Sequence, residues 1–358
     1  MSTMLPNLGG LADDFCLVRS LHTEAVNHAP GVTFMLTGSQ IPGRPSMGAW
    51  LTYGLGSESE DLPAYVVMTS SDKEKTCGQL FYDYYWGSGF LPSKHQGVKF
   101  NSTGAPVPYL DNPSGMSRQG RRSLLDRLSK LNLEHYAEYG DPEIQTRISQ
   151  YEMAFRMQTS VPELLDFKKE PEHVIKRYGP DVQVRGTFAN NCLTARRLLE
   201  RGTRFVQLMH SGWDQHSNLF GQLEQQCVDT DAPSAALIQD LKDRDMLKDT
   251  LVIWGGEFGR TPFGQYNSGD SKKPTGRDHF GRAFSWIMAG AGIKPGSVYG
   301  ETDEFGWNIT KGAIHVHDIQ ATILHLCGID HEKLTFRYQG RQFRLSDVHG
   351  HVVKGLFS

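Results

Sequence analysis

The sequence has few cysteines, and they form no recognisable pattern. Five occur in 358 residues, at Cys16, Cys77, Cys192, Cys227 and Cys327, with no Cys-x-x-Cys motif among them. This spacing argues against both a zinc ribbon and a disulfide framework. Buried free thiols are the simplest interpretation.

Long apolar runs and one-sided charge are also missing. No segment reaches the roughly 18 consecutive apolar residues of a membrane helix, and residues 1–14 lack the basic and apolar regions of an export signal. The formal net charge is −3, with lysines and arginines dispersed along the chain. We therefore expect no membrane span, no export signal in this chain and no nucleic-acid partner.

The second half of the chain alternates between helix and strand patterns. Apolar residues recur at helical spacing over 187–202 and over 234–247, where Ser234 is a candidate N-cap. Short apolar runs at 204–209 and 250–254 predict strands. The alternation predicts an α/β fold with a parallel sheet covered by helices, in which ligands bind beyond the carboxyl ends of the strands.

Residues 87–180 differ in composition from the rest. Their first part is rich in Gly, Pro, Ser and Asn, whereas residues 121–165 are charged and helical in pattern. We interpret 1–358 as a single domain with a loop and helical insertion around 87–180. Near the C-terminus, residues 337–345 alternate around Gln339-Gly340, which predicts a small hairpin.

Polar side chains follow both predicted strands. His210, Asp214 and His216 come after the first, and an Asp-x-His pair can place a carboxylate and an imidazole on one metal ion. After the second, Glu257 could bind a metal and the guanidinium of Arg260 an oxyanion. Helix capping after the first strand and a plain Glu257 to Arg260 ion pair after the second are the structural alternatives.

A third polar cluster, Arg277, Asp278 and His279, lies in a loop. Alone, such a cluster is equally well explained by a solvent-facing loop. Three clusters between residues 210 and 279, two of them directly after predicted strands, favour one shared site.

Two histidine groups lie outside this region. His22, Asn27 and His28 precede an apolar helix predicted over 30–38, and a helix N-terminus is a natural anion site, although a simple capping loop is the alternative. His315 and His317 precede a second apolar helix. A core histidine or a helix cap explains them at least as well as metal binding, so we do not assign them as ligands.

The ordered set of segments resembles the sulfatase-like family known as domain of unknown function 1501, over nearly the whole chain. The segments are GSQIPGRPSMGAWLTYGLGS at 38–57, FANNCLTARRLLERGTRFVQLMHSGWDQH at 188–216, LVIWGGEFGRTP at 251–262, GRDH at 276–279 and HVHDIQATILHLCGIDHEKLTFRYQGR at 315–341. That family is placed with alkaline phosphatases and sulfatases. The resemblance implies their three-layer sandwich, a large, mostly parallel mixed sheet between helices with metals at the strand ends.

The resemblance also implies roles for residues. Asp214 and His216 would be the middle metal ligands, Glu257 the acidic ligand after the next strand and His279 a late ligand, with Asp278 beside it. Where sulfatases carry the cysteine that becomes formylglycine, this chain has His28, with Pro30 and Thr37-Gly38 of the pattern retained. We expect His28 to act as a nucleophile, a general base or a ligand.

Relatives normally begin further upstream, with an export signal and a first strand, so we expect this chain to lack that N-terminal segment and one metal ligand. Because those relatives are typically exported, the compartment of this chain stays open.

The function expected from the sequence is metal-dependent hydrolysis of a sulfate or phosphate ester on a small molecule or glycan. His28 and Arg260 would be catalytic, and the anion would contact the side chains of His22, Asn27, His210 and Arg277. Zinc, manganese and calcium all fit the mixed carboxylate and imidazole ligands. The alternatives are a catalytically degenerate member that binds anions or glycans, and a lyase or transferase on the same scaffold.

Overall fold

The computed structural model describes residues 2–71, 81–266 and 276–357; Cys77 lies outside them. The α-helices are α1 Pro6–Gly9, α2 His28–Thr37, α3 Met47–Leu55, α4 Arg118–Tyr139, α5 Pro142–Leu165, α6 Glu172–Arg177, α7 Phe188–Leu199, α8 Leu219–Asp243 and α9 Val316–Leu326. The strands are β1 Phe15–His22, β2 Tyr65–Ser71, β3 Val98–Phe100, β4 Phe205–Ser211, β5 Val252–Trp254, β6 Gly259–Arg260, β7 His279–Phe280, β8 Phe284–Ala289, β9 Ser297–Tyr299, β10 Glu301–Thr302, β11 Ile309–Lys311, β12 Ile314–His315, β13 Phe336–Tyr338 and β14 Arg341–Phe343. None of the described helices is long and apolar enough to cross a bilayer.

Two sheets form the core. In the five-stranded sheet, β1 pairs antiparallel with β8 on one side and parallel with β9 and β12 on the other, and β5 pairs antiparallel with β8. In the second sheet, β2 lies between β3 and β4, and all three are parallel. The α/β class is confirmed, but the described strands form two main sheets where the sequence predicted one.

The antiparallel β5 to β8 pair explains part of this difference. No helix lies between these two strands among the described residues, whereas a parallel pair needs a long crossover, usually helical. The chain therefore returns directly alongside β5. The alternation of helices and strands that predicted a parallel sheet ends at this point.

Local sequence accounts for several helix boundaries. The Thr187 side chain accepts a hydrogen bond from the Asn190 N–H and begins α7, which confirms the helix predicted over 187–202. Gly38 ends α2 with φ +71°, and a Cβ there would lie 2.0 Å from the Leu345 carbonyl oxygen, so only glycine fits. The helix begins at His28, two residues before Pro30.

One predicted boundary is wrong. Ser234 is buried in the interior of α8, not at its start, because this helix begins at Leu219 and continues through Pro233. Tertiary packing supports the longer helix: Ala236 belongs to the cluster that includes Leu208 of β4, and Ile238 packs with residues of the five-stranded sheet. α8 therefore covers both sheets.

The C-terminal hairpin is confirmed. β13 and β14 pair antiparallel through Phe336 to Phe343 and Tyr338 to Arg341. Gln339 and Gly340 between them both have positive φ, 46° and 83°, as a two-residue hairpin turn of type I′ requires.

Candidate metal centre

The candidate centre lies where four elements begin or end. β4 leads into the loop that carries Asp214 and His216, β5 leads to Glu257, β7 begins with His279, and α2 begins with His28. Close backbone approaches assemble these pieces, and glycines make them possible. A Cβ on Gly255 would lie 1.9 Å from the Trp286 ring, and one on Gly276 would lie 2.1 Å from the His216 carbonyl.

Asp214 is at the middle of the cluster. Its Oδ1 atom lies 3.0 Å from Nε2 of His28, 2.9 Å from Nε2 of His216 and 3.1 Å from Nε2 of His279. Nη2 of Arg260 donates to the same oxygen at 2.6 Å. Three imidazoles and one guanidinium therefore converge on a single carboxylate oxygen.

Each of the three imidazoles is also hydrogen-bonded through its second nitrogen, Nδ1, on the side of the ring away from Asp214. Nδ1 of His28 lies 2.5 Å from Oε1 of Glu257, and Nδ1 of His216 lies 2.8 Å from Oε1 of Gln265. Nδ1 of His279 lies 2.7 Å from the backbone carbonyl of Val26. Because each of these oxygens accepts a hydrogen bond, Nδ1 carries the proton and Nε2 is the nitrogen directed at the cluster.

This arrangement brings the lone pairs of the imidazole Nε2 atoms close to one another and to the Asp214 oxygen. Nε2 of His216 lies 3.0 Å from Nε2 of His279, and both face the Asp214 oxygen. Neutral imidazoles held in this tautomer would repel one another and the carboxylate unless a cation, either a proton or a metal ion, sits among them. The geometry is thus that of a cation-binding cluster.

The residues present fit a divalent metal ion. His28, Asp214 and His279 form one group whose ligand atoms all lie within 4.8 Å of one another, and His216, Asp278 and His279 form a second. Tetrahedral zinc sites separate their ligand atoms by about 3.3 Å, given metal–ligand distances of about 2.0 Å. The separations of 2.9–3.1 Å around Asp214 come close to that value.

The charges in the cluster stabilise one another. Burial would lower the pKa of His28, but hydrogen bonds with Asp214 and Glu257 outweigh burial and raise it to about 9. Burial would raise the pKa of the Asp214 carboxyl, but its contacts with His279, His28 and Arg260 hold it far below the usual range. Asp214 is therefore ionised, and His28 without a metal ion is an imidazolium at neutral pH.

Arg260 is directed inward. Nη2 donates to the Trp213 carbonyl at 2.9 Å as well as to Asp214, and Nη1 donates to the Arg277 carbonyl at 3.3 Å. The planar donor fork is thus occupied by acceptors of the chain itself.

The structure brings six of the predicted site residues together: His28, Asp214, His216, Glu257, Arg260 and His279. Asp278 lies at the rim, 59% exposed, with a carboxylate oxygen 3.9 Å from Nδ1 of His216. The Arg277 guanidinium donates to the carbonyl of Gly276, the residue before it.

Three other residues predicted to contact the anion, His22, Asn27 and His210, contact other groups or are exposed. The ring nitrogens of His210 lie 2.9 Å from Ser70 Oγ and 3.1 Å from Gln226 Oε1. His22 packs its ring against His315, with ring centroids 5.1 Å apart. Asn27 is exposed and is the N-cap residue of α2, although its side chain makes no capping hydrogen bond.

Sequence reasoning missed three contributors to the site. Gln265 and the Val26 carbonyl orient imidazoles, and the Phe258 ring packs against His28 and His279 at centroid distances of 5.1 and 4.6 Å. Phe258 follows Glu257 directly and could have been suspected. Nothing in the sequence distinguishes Gln265 from any other polar loop residue.

His315 caps a helix, which was one of the structural alternatives that the sequence offered. It is the N-cap of α9, its Nδ1 accepts from the His317 N–H, and Asp318 completes a capping box.

Several solved structures are similar to the chain at low sequence identity. They include PsFucS1 sulfatase from Pseudoalteromonas sp., 13% identical over 92% of this chain and 63% of that one, with a TM-score of 0.40. The lipoteichoic acid synthase LtaP from Listeria monocytogenes is 10% identical over 96% and 68%, with a TM-score of 0.42. The phosphonate monoester hydrolase SpPMH from Silicibacter pomeroyi is 11% identical over 90% and 68%, with a TM-score of 0.38. The chain thus spans only 63–68% of these three chains.

A search of the curated proteins found no match. The sequence model of one family, described as "Protein of unknown function (DUF1501)", matches residues 1–357. Because that match extends over nearly the full sequence, the chain belongs to the DUF1501 family.

Proposed function

We propose that the Asp214 cluster binds a divalent metal ion and that the chain hydrolyses sulfate or phosphate esters there. One observation carries the metal proposal: three imidazoles, each held at Nδ1 by an oxygen acceptor, direct Nε2 at a single carboxylate oxygen. Metal-binding histidines are typically oriented in this way. The finer fold assignment, an alkaline-phosphatase-like sandwich, is part of the proposal and rests on the sequence segments given above.

One ion would take His28, Asp214 and His279 as ligands, and His216 and Asp278 would form with the same His279 an alternative position for that ion. A set this rich in imidazole favours zinc over calcium, which prefers oxygen ligands. When bound, a divalent ion would polarise the ester oxygens and lower the pKa of water.

Glu257 and Arg260 would orient the metal ligands and stabilise their charges. Glu257 holds the His28 ring, with Oε1 2.5 Å from Nδ1, and so acts through that imidazole in our proposal. Arg260 keeps Asp214 ionised. Both nitrogens of His28 face carboxylates, at 3.0 and 2.5 Å, so we favour a ligand role for His28 over that of nucleophile or general base.

The first experiment is elemental analysis of the purified chain beside Asp214→Ala and His279→Ala. We expect near-stoichiometric zinc or manganese in the wild type and its loss in both variants. His95→Gln is the matched control, because this half-buried histidine packs against Tyr53 and is in neither metal group. No metal in the wild type after reconstitution, or equal metal in all four proteins, contradicts the proposal.

Activity is tested on the metal-loaded chain with p-nitrophenyl sulfate and p-nitrophenyl phosphate. Turnover of either that disappears in Asp214→Ala supports the hydrolase. The second candidate is an anion- or glycan-binding protein that holds the ester through the metal ion. The donor fork of Arg260 is already occupied within the chain, so Arg260 is not free to stabilise the charge that develops during hydrolysis. Stoichiometric metal and ester binding without turnover would establish that second function.

A further inference from the structure

α4 and α5 form a helical hairpin in which α5 packs against one side of α4. The Arg122 guanidinium donates to Glu152 at 2.5 and 2.8 Å, and the Arg118 guanidinium lies over the Phe155 ring at 4.9 Å. Leu125 is the one residue of α4 that is fully buried. Positions 118, 122 and 125 therefore face α5.

A second stripe on α4, made of three leucines and a histidine, lies beside the positions that contact α5. Leu124, Leu128, Leu131 and His135 follow one another at spacings of four, three and four residues, the spacing of core positions in a coiled coil. Leu124 and Leu131 are 43% and 48% exposed, and Leu128 is half-buried. This stripe is apolar surface at the spacing that another helix would bury.

The charges beside the stripe determine how a partner helix could run. Arg127 and Glu134 occupy the same flanking heptad position one heptad apart, and within 2–71, 81–266 and 276–357 neither makes an ion pair. In an antiparallel pair of α4 helices, Arg127 of one copy meets Glu134 of the other, twice by symmetry. In a parallel pair, the flanking residues opposite them are Asn132 and Tyr139, which offer no opposite charge.

We infer that α4 pairs with α4 of a second copy of this chain, antiparallel about a two-fold axis. Leu128 of one copy packs on Leu131 of the other, and Leu124 packs on His135. The two α4–α5 hairpins together form a four-helix bundle. The inference is independent of the metal proposal, because it uses none of the residues of the Asp214 cluster.

Sedimentation equilibrium of the full chain tests the pairing. We expect a dimer with a dissociation constant on the order of 10 μM. Arg127→Glu replaces both attractive pairs by repulsive ones and raises the dissociation constant about tenfold at low salt. Adding Glu134→Arg to that variant restores the wild-type value. A double variant that is no tighter than the single one overturns the antiparallel arrangement.

Leu133 provides a matched control for the stripe. It is 51% exposed, like Leu131, but lies roughly 160° away around an ideal helix. Leu131→Glu should give a monomer, whereas Leu133→Glu should remain dimeric, and circular dichroism shows that both are folded. A wild type that is monomeric up to about 300 μM, or equal effects of the two leucine substitutions, overturns the inference.

Discussion

Binding of a divalent ion at the Asp214 cluster should release a proton from His28. Burial lowers the pKa of His28, but hydrogen bonds with Asp214 and Glu257 raise it to about 9. A histidine that binds a metal must be neutral. At pH 7 the ion therefore competes with a proton that two carboxylates hold in place.

The size of this competition follows from the pKa. Deprotonating His28 costs about 3 kcal/mol at pH 7 and almost nothing above its pKa. The apparent metal affinity should therefore rise about 50-fold between pH 7 and pH 9 and level off at about 100-fold above that. In the metal-free chain, a rise in pH has the opposite effect on folding stability: it lowers it. A raised pKa contributes stability that is complete below the ordinary histidine pKa of about 6.5 and is lost as pH rises through about 9.

Titration calorimetry with Zn²⁺ in two buffers of different ionisation enthalpy counts the released protons. We expect about one proton per ion at pH 7.5 and about a quarter of a proton at pH 9.5. Glu257→Gln removes one of the two charges, lowers the pKa of His28 and so reduces the release at pH 7.5.

Glu24→Gln is the matched control, since Glu24 accepts from His315 at 2.8 Å in another histidine–carboxylate pair. It should leave the proton count unchanged. No proton release at pH 7.5, or equal release in both variants, would refute the reasoning.

Two further predictions concern packing and buried charge. Gly31→Ala places a Cβ 3.0 Å from the Glu257 side chain. This substitution should lower the unfolding free energy by about 1–3 kcal/mol and weaken Zn²⁺ binding in the same titration. An unchanged Zn²⁺ affinity would contradict this prediction. Glu170→Gln leaves the buried Arg197 with no carboxylate partner among the described residues, whereas Arg196 keeps Glu200 and Asp240. Urea unfolding should show a loss of about 3–5 kcal/mol. The exposed Glu172→Gln should change stability by less than about 0.5 kcal/mol, and equal effects at 170 and 172 contradict the argument.

The sequence was sufficient to group most of the site but not to arrange it. Asp214, Glu257 and His279 lie on loops or strands whose order along the chain already suggested a shared site. That Glu257 contacts Nδ1 of His28 could not be foreseen, because it depends on how α2 packs against residues more than two hundred positions away. Gly31 permits that contact, and its close approach to Glu257 exists only in the folded chain.

The fold shows the same division between local and non-local information. Apolar spacing correctly predicted α7, and turn residues correctly predicted the C-terminal hairpin, since those signals act over a few residues. The start of α8 was missed because Pro233 is a local break signal, whereas burial against two sheets decides the helix. The antiparallel pairing of β5 was missed because a strand pattern carries no direction.

The charge balance of the cluster bears on both proposed functions. Without metal at neutral pH, the carboxylates of Asp214 and Glu257 are balanced by the imidazolium of His28 and the guanidinium of Arg260. These four side chains then exert little net attraction on an anion. A divalent ion that displaces the His28 proton leaves one net positive charge, which attracts a sulfate or phosphate ester. Hydrolysis and simple anion binding at this cluster therefore both depend on metal loading, and turnover alone distinguishes them.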